Sequence, residues 1–169
     1  MKKSPRYLTM PPVKIDLALI KQLTSSIHKA DILGKFSTED INSLTKHMVA
    51  ITVAEGEAIY VEGEPADYMS MLITGRLVVL KETQKGKSRQ IAEILPGRTV
   101  GEMSMVDGKA HSATVVAGQE STMVILSQGA MTALIDEHPR LGANLLRNLA
   151  ATISLRLRST NNILAQYLD

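Results

Sequence analysis

The sequence predicts an α+β protein that is mainly β: an antiparallel jelly-roll barrel, preceded by short helices and followed by one long helix. Three features carry that expectation. From residue 49 to 126 short β-prone segments follow one another, glycine and proline turns separate them, and helical periodicity appears only on either side. No strand–helix–strand alternation interrupts the β-rich stretch, so a parallel sheet is not expected.

Residues 1–14 hold Pro5, Pro11 and Pro12 and read as an N-terminal arm, either loose or ordered by contact. Residues 15–48 form the N-terminal helical part. Leu17, Ile20, Leu23 (or Thr24) and Ile27 recur at helical spacing within 15–28. Ser37 is placed to cap a second helix with Asp40 three residues on, and Ile41, Leu44 and Met48 supply its apolar face. The jelly roll then spans 49–127, with segments at 49–54, 58–62, 68–73, 76–82, 89–94, 112–117 and 121–126. Gly56, Gly63, Pro65, Gly75, Gly86, Pro96–Gly97, Gly108 and Gly118 mark the turns between them.

Helices return over 128–169. Met131, Leu134 and Ile135 give a short one ending before Pro139, which is tolerated in the first turn of the next. That last helix is expected over 140–167, with Leu146, Leu149, Ile153, Leu157, Thr160 and Leu164 forming a seam longer than a small barrel can cover. The seam reads as part core and part dimer contact. Thr160 and Asn161 interrupt it with polar groups.

Composition removes several classes of function. Hydrophobic residues make 44% of the 169 and charged ones 21%, ordinary for a folded globular chain. No apolar run reaches the roughly 18–20 residues of a membrane span, and the basic start MKKSPRYLTM lacks the apolar core of a signal peptide, so a cytoplasmic location is expected. There is no cysteine, which excludes disulfides, thiol catalysis and thiolate-bound zinc. The net charge of +2 is too small to mark a nucleic-acid binder. Lys2, Lys3, Arg6 and Lys14 at one end and Arg140, Arg147, Arg156 and Arg158 near the other read as solvated faces.

Enzymatic chemistry finds no constellation. KGKS at 85–88 lacks the upstream glycine of a phosphate loop, since position 81 is Lys81, and lies between strands. His28, His47, His111 and His138 show no metal-ligand spacing along the chain, so no metal is expected. Ser104 is not in a nucleophile elbow.

What remains is GEMSMVDGKAHSATV, residues 101–115. Gly101 can make a tight turn into one short helical turn, whose free backbone N–H groups attract anions such as phosphate. Glu102 repels phosphate but suits the hydroxyls of an attached sugar. Ser112 offers a hydroxyl to the phosphate, and His111 faces the same space. On these residues alone, a sugar phosphate and a purely structural glycine turn both remain open.

The chain resembles the cyclic nucleotide-binding domain family, as in the sensor domains of catabolite activator protein and the regulatory subunits of protein kinase A. Gly56-Glu57-Ala58-Ile59, Gly63, Asp67 and Gly75 are similar to the family's early barrel turns. Gly101-Glu102-Met103-Ser104-Met105 followed by Ser112-Ala113-Thr114-Val115 is similar to its phosphate-binding cassette. The similarity runs over about 27–168. It implies that Glu102 accepts the ribose 2′-hydroxyl, that backbone N–H groups around Gly101 and Met103 hold ribose or phosphate, and that Ser112 bonds a phosphate oxygen. It further implies that Thr160 and Asn161 read the purine edge, one of them across a homodimer formed by the last helix.

The implied function is a cyclic nucleotide sensor, with cAMP or cGMP as ligand and cAMP foremost, whose last helix closes over the base. His111 departs from the pattern: it stands where the family has the arginine that pairs with the cyclic phosphate. Arginine stays charged and forks onto two oxygens, whereas neutral histidine gives one donor. Lys109 is a cation in the same loop. The alternative reading is therefore a degenerate module that dimerises or binds a partner with weak or no mononucleotide binding. Relatives with a helix-turn-helix carry it after this last helix; the sequence ends at Asp169, so direct nucleic-acid binding is not expected of these residues.

Overall fold

A computed structural model describes residues 5–29 and 36–166. After a 3-10 turn at Arg6–Thr9 the elements run β1 (Pro12–Val13), α1 (Leu17–Lys29), α2 (Thr38–Thr45), β2 (Val49–Val53), β3 (Ala58–Tyr60), β4 (Tyr68–Glu82), β5 (Ser88–Ile94), β6 (Thr99–Val100), α3 (Glu102–Asp107), β7 (Thr114–Ser127), α4 (Gln128–Glu137) and α5 (Pro139–Ala165). The strands form one antiparallel seven-stranded sheet in the order β1-β2-β7-β4-β5, with β3 also on β7 and β6 on β4. Hydrogen bonding does not close it into a barrel.

The expected α+β class holds, and two strand assignments change. Segments 68–73 and 76–82 are one strand, β4, and 112–117 and 121–126 are one strand, β7. The pair continues through its turn signals because the chain bends there without leaving the ladder: pairing shifts register between Leu72, Thr74, Arg76 and Leu77. Gly75 permits the bend. Its φ is +97°, and a Cβ there would sit 2.2 Å from Ser121 Oγ and 2.6 Å from the Glu120 carbonyl oxygen.

Two apolar clusters explain the burial. In the first half of β4, Met69, Met71 and Ile73 face a helical layer containing Leu19, Leu23, Ile41, Leu44, Leu134, Leu145 and Leu149. Tyr68, Leu72 and Leu77 point instead into the space between strands, with Ile51, Ile59, Tyr60, Val115, Met123 and Ile125. Residues 68–73 are consequently buried on both faces, which is why that stretch reads as a continuous apolar run rather than an alternation.

Residues 5–14 of the arm are held by contact: Pro12 and Val13 pair with Ile51 and Ala50, Met10 is buried, and the Arg6 Nε donates to Glu64 Oε2 at 2.8 Å. Ser37 caps α2 as expected, its Oγ accepting from the Asp40 N–H at 3.1 Å while the Ser37 N–H donates to Asp40 Oδ2 at 2.9 Å. In α1 the buried residues are Leu19 and Leu23 with Ile20 beside them; the side chains of Leu17, Thr24 and Ile27 lie outside the described residues, as does the structure of 30–35. Pro139 opens α5.

The seam on α5 divides. Leu141, Leu145 and Leu149 enter the core, while Leu146, Leu155, Leu157, Ile163 and Leu164 are exposed. Leu149 thus belongs to the helical layer and not to a dimer contact. The second half of the helix carries an apolar surface that the described residues leave uncovered. None of the described helices is long and apolar enough to cross a membrane.

Candidate functional site

The site forms where β6 ends and the chain turns into α3. Gly101 takes a left-handed conformation with φ +81°, and a Cβ there would stand 2.9 Å from the Tyr68 carbonyl oxygen and 3.1 Å from the Tyr60 hydroxyl. Both the angle and the space select glycine. The turn launches α3, which runs six residues and closes on Gly108, also left-handed at φ +67°. Glu102 and Ser104 of α3 are buried, and Met103 between them is half exposed.

A pocket of about 560 Å³ opens over this turn. Gly101, Glu102, Met103, His111, Ser112 and Thr160 all line it. Six of the seven residues predicted from the sequence thus meet in one cavity, although they come from three separate parts of the chain. Asn161 is exposed one position further along α5 and is not among the lining residues.

Glu102 is the most constrained of them. Its side chain is 3% exposed and its Oε1 accepts a hydrogen bond from Arg156 Nη1. Its Oε2 is fully buried and has no hydrogen-bond partner among the described residues. Burial pushes the carboxyl above its ordinary value; the Arg156 charge and the residue's own backbone N–H work against that rise. Arg156 also donates from Nη2 to the Thr99 carbonyl oxygen at 2.6 Å, so one guanidinium ties α5 to both β6 and α3.

Sequence reasoning missed Arg156, grouping it with solvated basic residues. It lies four residues before Thr160, one turn back on the same helix face, and that spacing was the available signal. Thr160 repeats the connection at short range, its Oγ1 donating to the Arg156 carbonyl oxygen at 2.9 Å.

His111 is buried at 6% exposure. Its ring meets Tyr60 edge-on with centroids 4.4 Å apart, and Tyr68 at 5.8 Å. Backbone bonds hold its position: the His111 N–H donates to the Glu64 carbonyl oxygen at 3.0 Å, and the Gly63 N–H donates to the His111 carbonyl oxygen at 2.9 Å. Burial lowers the imidazole below its usual 6.5, against the opposing pull of Asp67 and Glu64. At neutral pH the residue at this position therefore brings a neutral ring.

Other cations stand nearby. Arg98, in the turn before β6, lines the pocket. Lys81 of β4 donates to the Ser112 carbonyl oxygen at 2.6 Å and is paired with Glu62. Lys109 is exposed, its N–H bonded to Asp107 Oδ1 at 3.0 Å, and it does not line the pocket. Chemically, the cavity offers a buried carboxylate with an open acceptor, a glycine turn, hydroxyls, and guanidinium groups at its rim. That set suits a polyhydroxylated anion.

Comparison with known proteins agrees with this geometry. Residues 50–138 match the cyclic nucleotide-binding domain family. The chain is 28% identical over 137 residues to the CRP-like cAMP-activated global transcriptional regulator of Mycobacterium tuberculosis, covering 81% of this chain and 59% of that protein. To the cyclic AMP receptor protein of Thermus thermophilus it is 28% identical over 107 residues, covering 63% and 48% respectively. The chain thus spans about half the length of these relatives. A solved cyclic nucleotide-binding domain from Methylobacillus flagellatus superposes with a TM-score of 0.80 at 29% identity, covering 88% of this chain and 84% of that one. A match of 101 residues to patatin-like phospholipase domain-containing protein 7 of Rattus norvegicus, at 31% identity, covers 60% of this chain and 8% of that protein. This chain belongs to the cyclic nucleotide-binding domain family, a regulatory and non-enzymatic one.

Proposed function

We propose that the chain is a sensor for a cyclic purine mononucleotide, cAMP foremost, and that ligand binding is coupled to the position of α5. The observation that carries this reading is the split state of Glu102. One of its oxygens is engaged by Arg156 of α5, and the other is buried without a partner among the described residues. A buried acceptor left unpaired costs on the order of 1–3 kcal/mol, more when charged. A ribose hydroxyl donating to Oε2 removes that cost. The phosphate would lie against the Gly101–Met103 turn with Ser112, and the base toward Thr160 on α5, with Asn161 serving a partner protomer's site. Because Arg156 grips the same carboxylate, ligand and helix act on one group. The switch is then the ligand's differential affinity for two placements of α5.

Calorimetry tests this reading with cAMP, cGMP and a cyclic dinucleotide at pH 6 and pH 8. We expect heat with a mononucleotide and tighter binding at pH 6. The phosphate favours imidazolium, so His111, neutral when free, takes up a proton on binding, and more readily at the lower pH. No heat with any of the three at millimolar concentration would remove the sensor reading. It would leave the alternative, a dimerising or partner-binding module, which the burial of neutral His111 against Tyr60 and Tyr68 favours.

The homodimer is proposed on the second half of α5, where Leu155, Leu157, Ile163 and Leu164 are all more than half exposed. Truncation after Arg158 removes the last two of these and should give monomers in analytical ultracentrifugation; a dimer surviving that truncation would contradict the assignment.

A further inference from the structure

Away from the nucleotide pocket, the fold gathers three metal-ligating side chains from distant parts of the chain. His47 lies in the turn between α2 and β2, Glu137 is the last residue of α4, and His138 joins α4 to α5. One potential ligand atom from each lies within 4.8 Å of the others. His47 Nε2 and Glu137 Oε2 are 3.4 Å apart, and the two imidazole rings stand 6.4 Å apart at 84°. Spacing along the sequence hid this group, because His47 and His138 are brought together only when α2 and α4 share the helical layer.

The donor spacing is compatible with a tetrahedral centre. Metal–donor bonds of about 2.0–2.1 Å place neighbouring donors roughly 3.3 Å apart. The His47–Glu137 pair already has that separation, and the His138 ring needs a side-chain adjustment of about 1.5 Å or less. Access and anchoring are also suitable. The His47 side chain is 11% exposed and so is held by its surroundings, whereas that of Glu137 is 62% exposed and open to an arriving ion. The adjoining groove is lined by Glu39 and Asp40 as well as Glu137 and His138, with Arg140 as the opposing charge.

We propose that His47, Glu137 and His138 form a binding site for a late first-row divalent cation, zinc in the first instance, with water completing the shell. Two imidazoles and one carboxylate are a donor set that suits zinc, and cobalt and nickel after it. Bound there, the ion fastens the α4–α5 junction to the α2–β2 connection. The junction is a break in helical geometry: His138 has φ −134° and ψ 69°, and α5 restarts at Pro139. A cation at this point holds the base of α5 independently of any nucleotide.

The test uses the untagged full chain, stripped with chelator, desalted and titrated with zinc and with cobalt. We expect one equivalent of metal, a visible cobalt spectrum of tetrahedral type, and a rise in Tm of roughly 5–10 °C at a hundredfold excess over Kd. His138→Ala and His47→Gln should each weaken binding by more than the roughly 10- to 100-fold carried by residues that merely support ligands. The His138 side chain is exposed, so its loss leaves the fold intact and a lost signal is not an unfolded protein. Absence of stoichiometric binding to the parent chain, or equal binding by both variants, would overturn the proposal and leave an ordinary His47–Glu137 ion pair.

Discussion

Replacing His111 by arginine is expected to tighten cyclic mononucleotide binding by about 10- to 150-fold, the equivalent of one charged hydrogen-bonding partner at ~1.5–3 kcal/mol. The native ring is buried, neutral and set against Tyr60 and Tyr68, so it brings no permanent charge to a phosphate. A guanidinium stays ionised under any practical condition and can bridge two phosphate oxygens. The same position opens onto the pocket beside Gly101 and Ser112, which gives the longer side chain a path to the ligand. The gain should also remove most of the difference between pH 6 and pH 8. Titration calorimetry of His111→Arg at both pH values measures the two effects together. Unchanged or weaker affinity in a variant with native Tm would show that residue 111 does not face the phosphate.

The second large effect concerns Glu102→Gln. It should weaken nucleotide binding by about 10- to 150-fold, since a charged acceptor for the ribose hydroxyl becomes a neutral one. Folding should survive. Removing one partner of a buried ion pair is costly when the other charge is trapped, but Arg156 is 40% exposed and keeps water and the Thr99 carbonyl. We expect stability within about 1 kcal/mol of the parent at neutral pH. The sign of the pH dependence adds an internal check. The folded pKa of Glu102 is raised above 4.5, so the folded chain binds the proton more tightly than the unfolded chain does. Its contribution to stability is fully present below 4.5 and is lost as pH rises through the folded value. The glutamine variant should lack that decline. Native affinity in Glu102→Gln would mean that the buried carboxylate takes no part in ligand recognition.

Much of this arrangement was readable from local signals. Gly101 and Gly108 frame α3 because both need left-handed backbone, and glycine is the residue that adopts it without strain. The Ser37–Asp40 cap likewise follows from a short-range pattern. Less readable was anything fixed by contacts between distant residues. Gly75 and Gly118 looked like strand ends because a bend that shifts register without leaving the ladder carries the same local mark as a turn. Arg156 looked like a surface cation because its partner, Glu102, is 54 residues away. The His47–Glu137–His138 group escaped for the same reason. Likewise, the neutrality of His111 depends on the two tyrosines that enclose it, which no spacing rule reports.

The β4–β7 ladder also sets an order of assembly. Its register is nested, from Leu80 opposite Thr114 at the inner end to Tyr68 opposite Ser127 at the outer end. Loop-closure entropy favours joining the inner end first, and each further pair then closes at little added cost. The chain between the inner partners contains β5, β6 and α3, so the glycine turn of the pocket is enclosed early. The α4–α5 unit follows β7 in the chain and is expected to dock after the outer end has closed. Loop-closure entropy therefore predicts that Glu102 is buried in two stages, with the ladder shaping its surroundings before Arg156 arrives with the last helix.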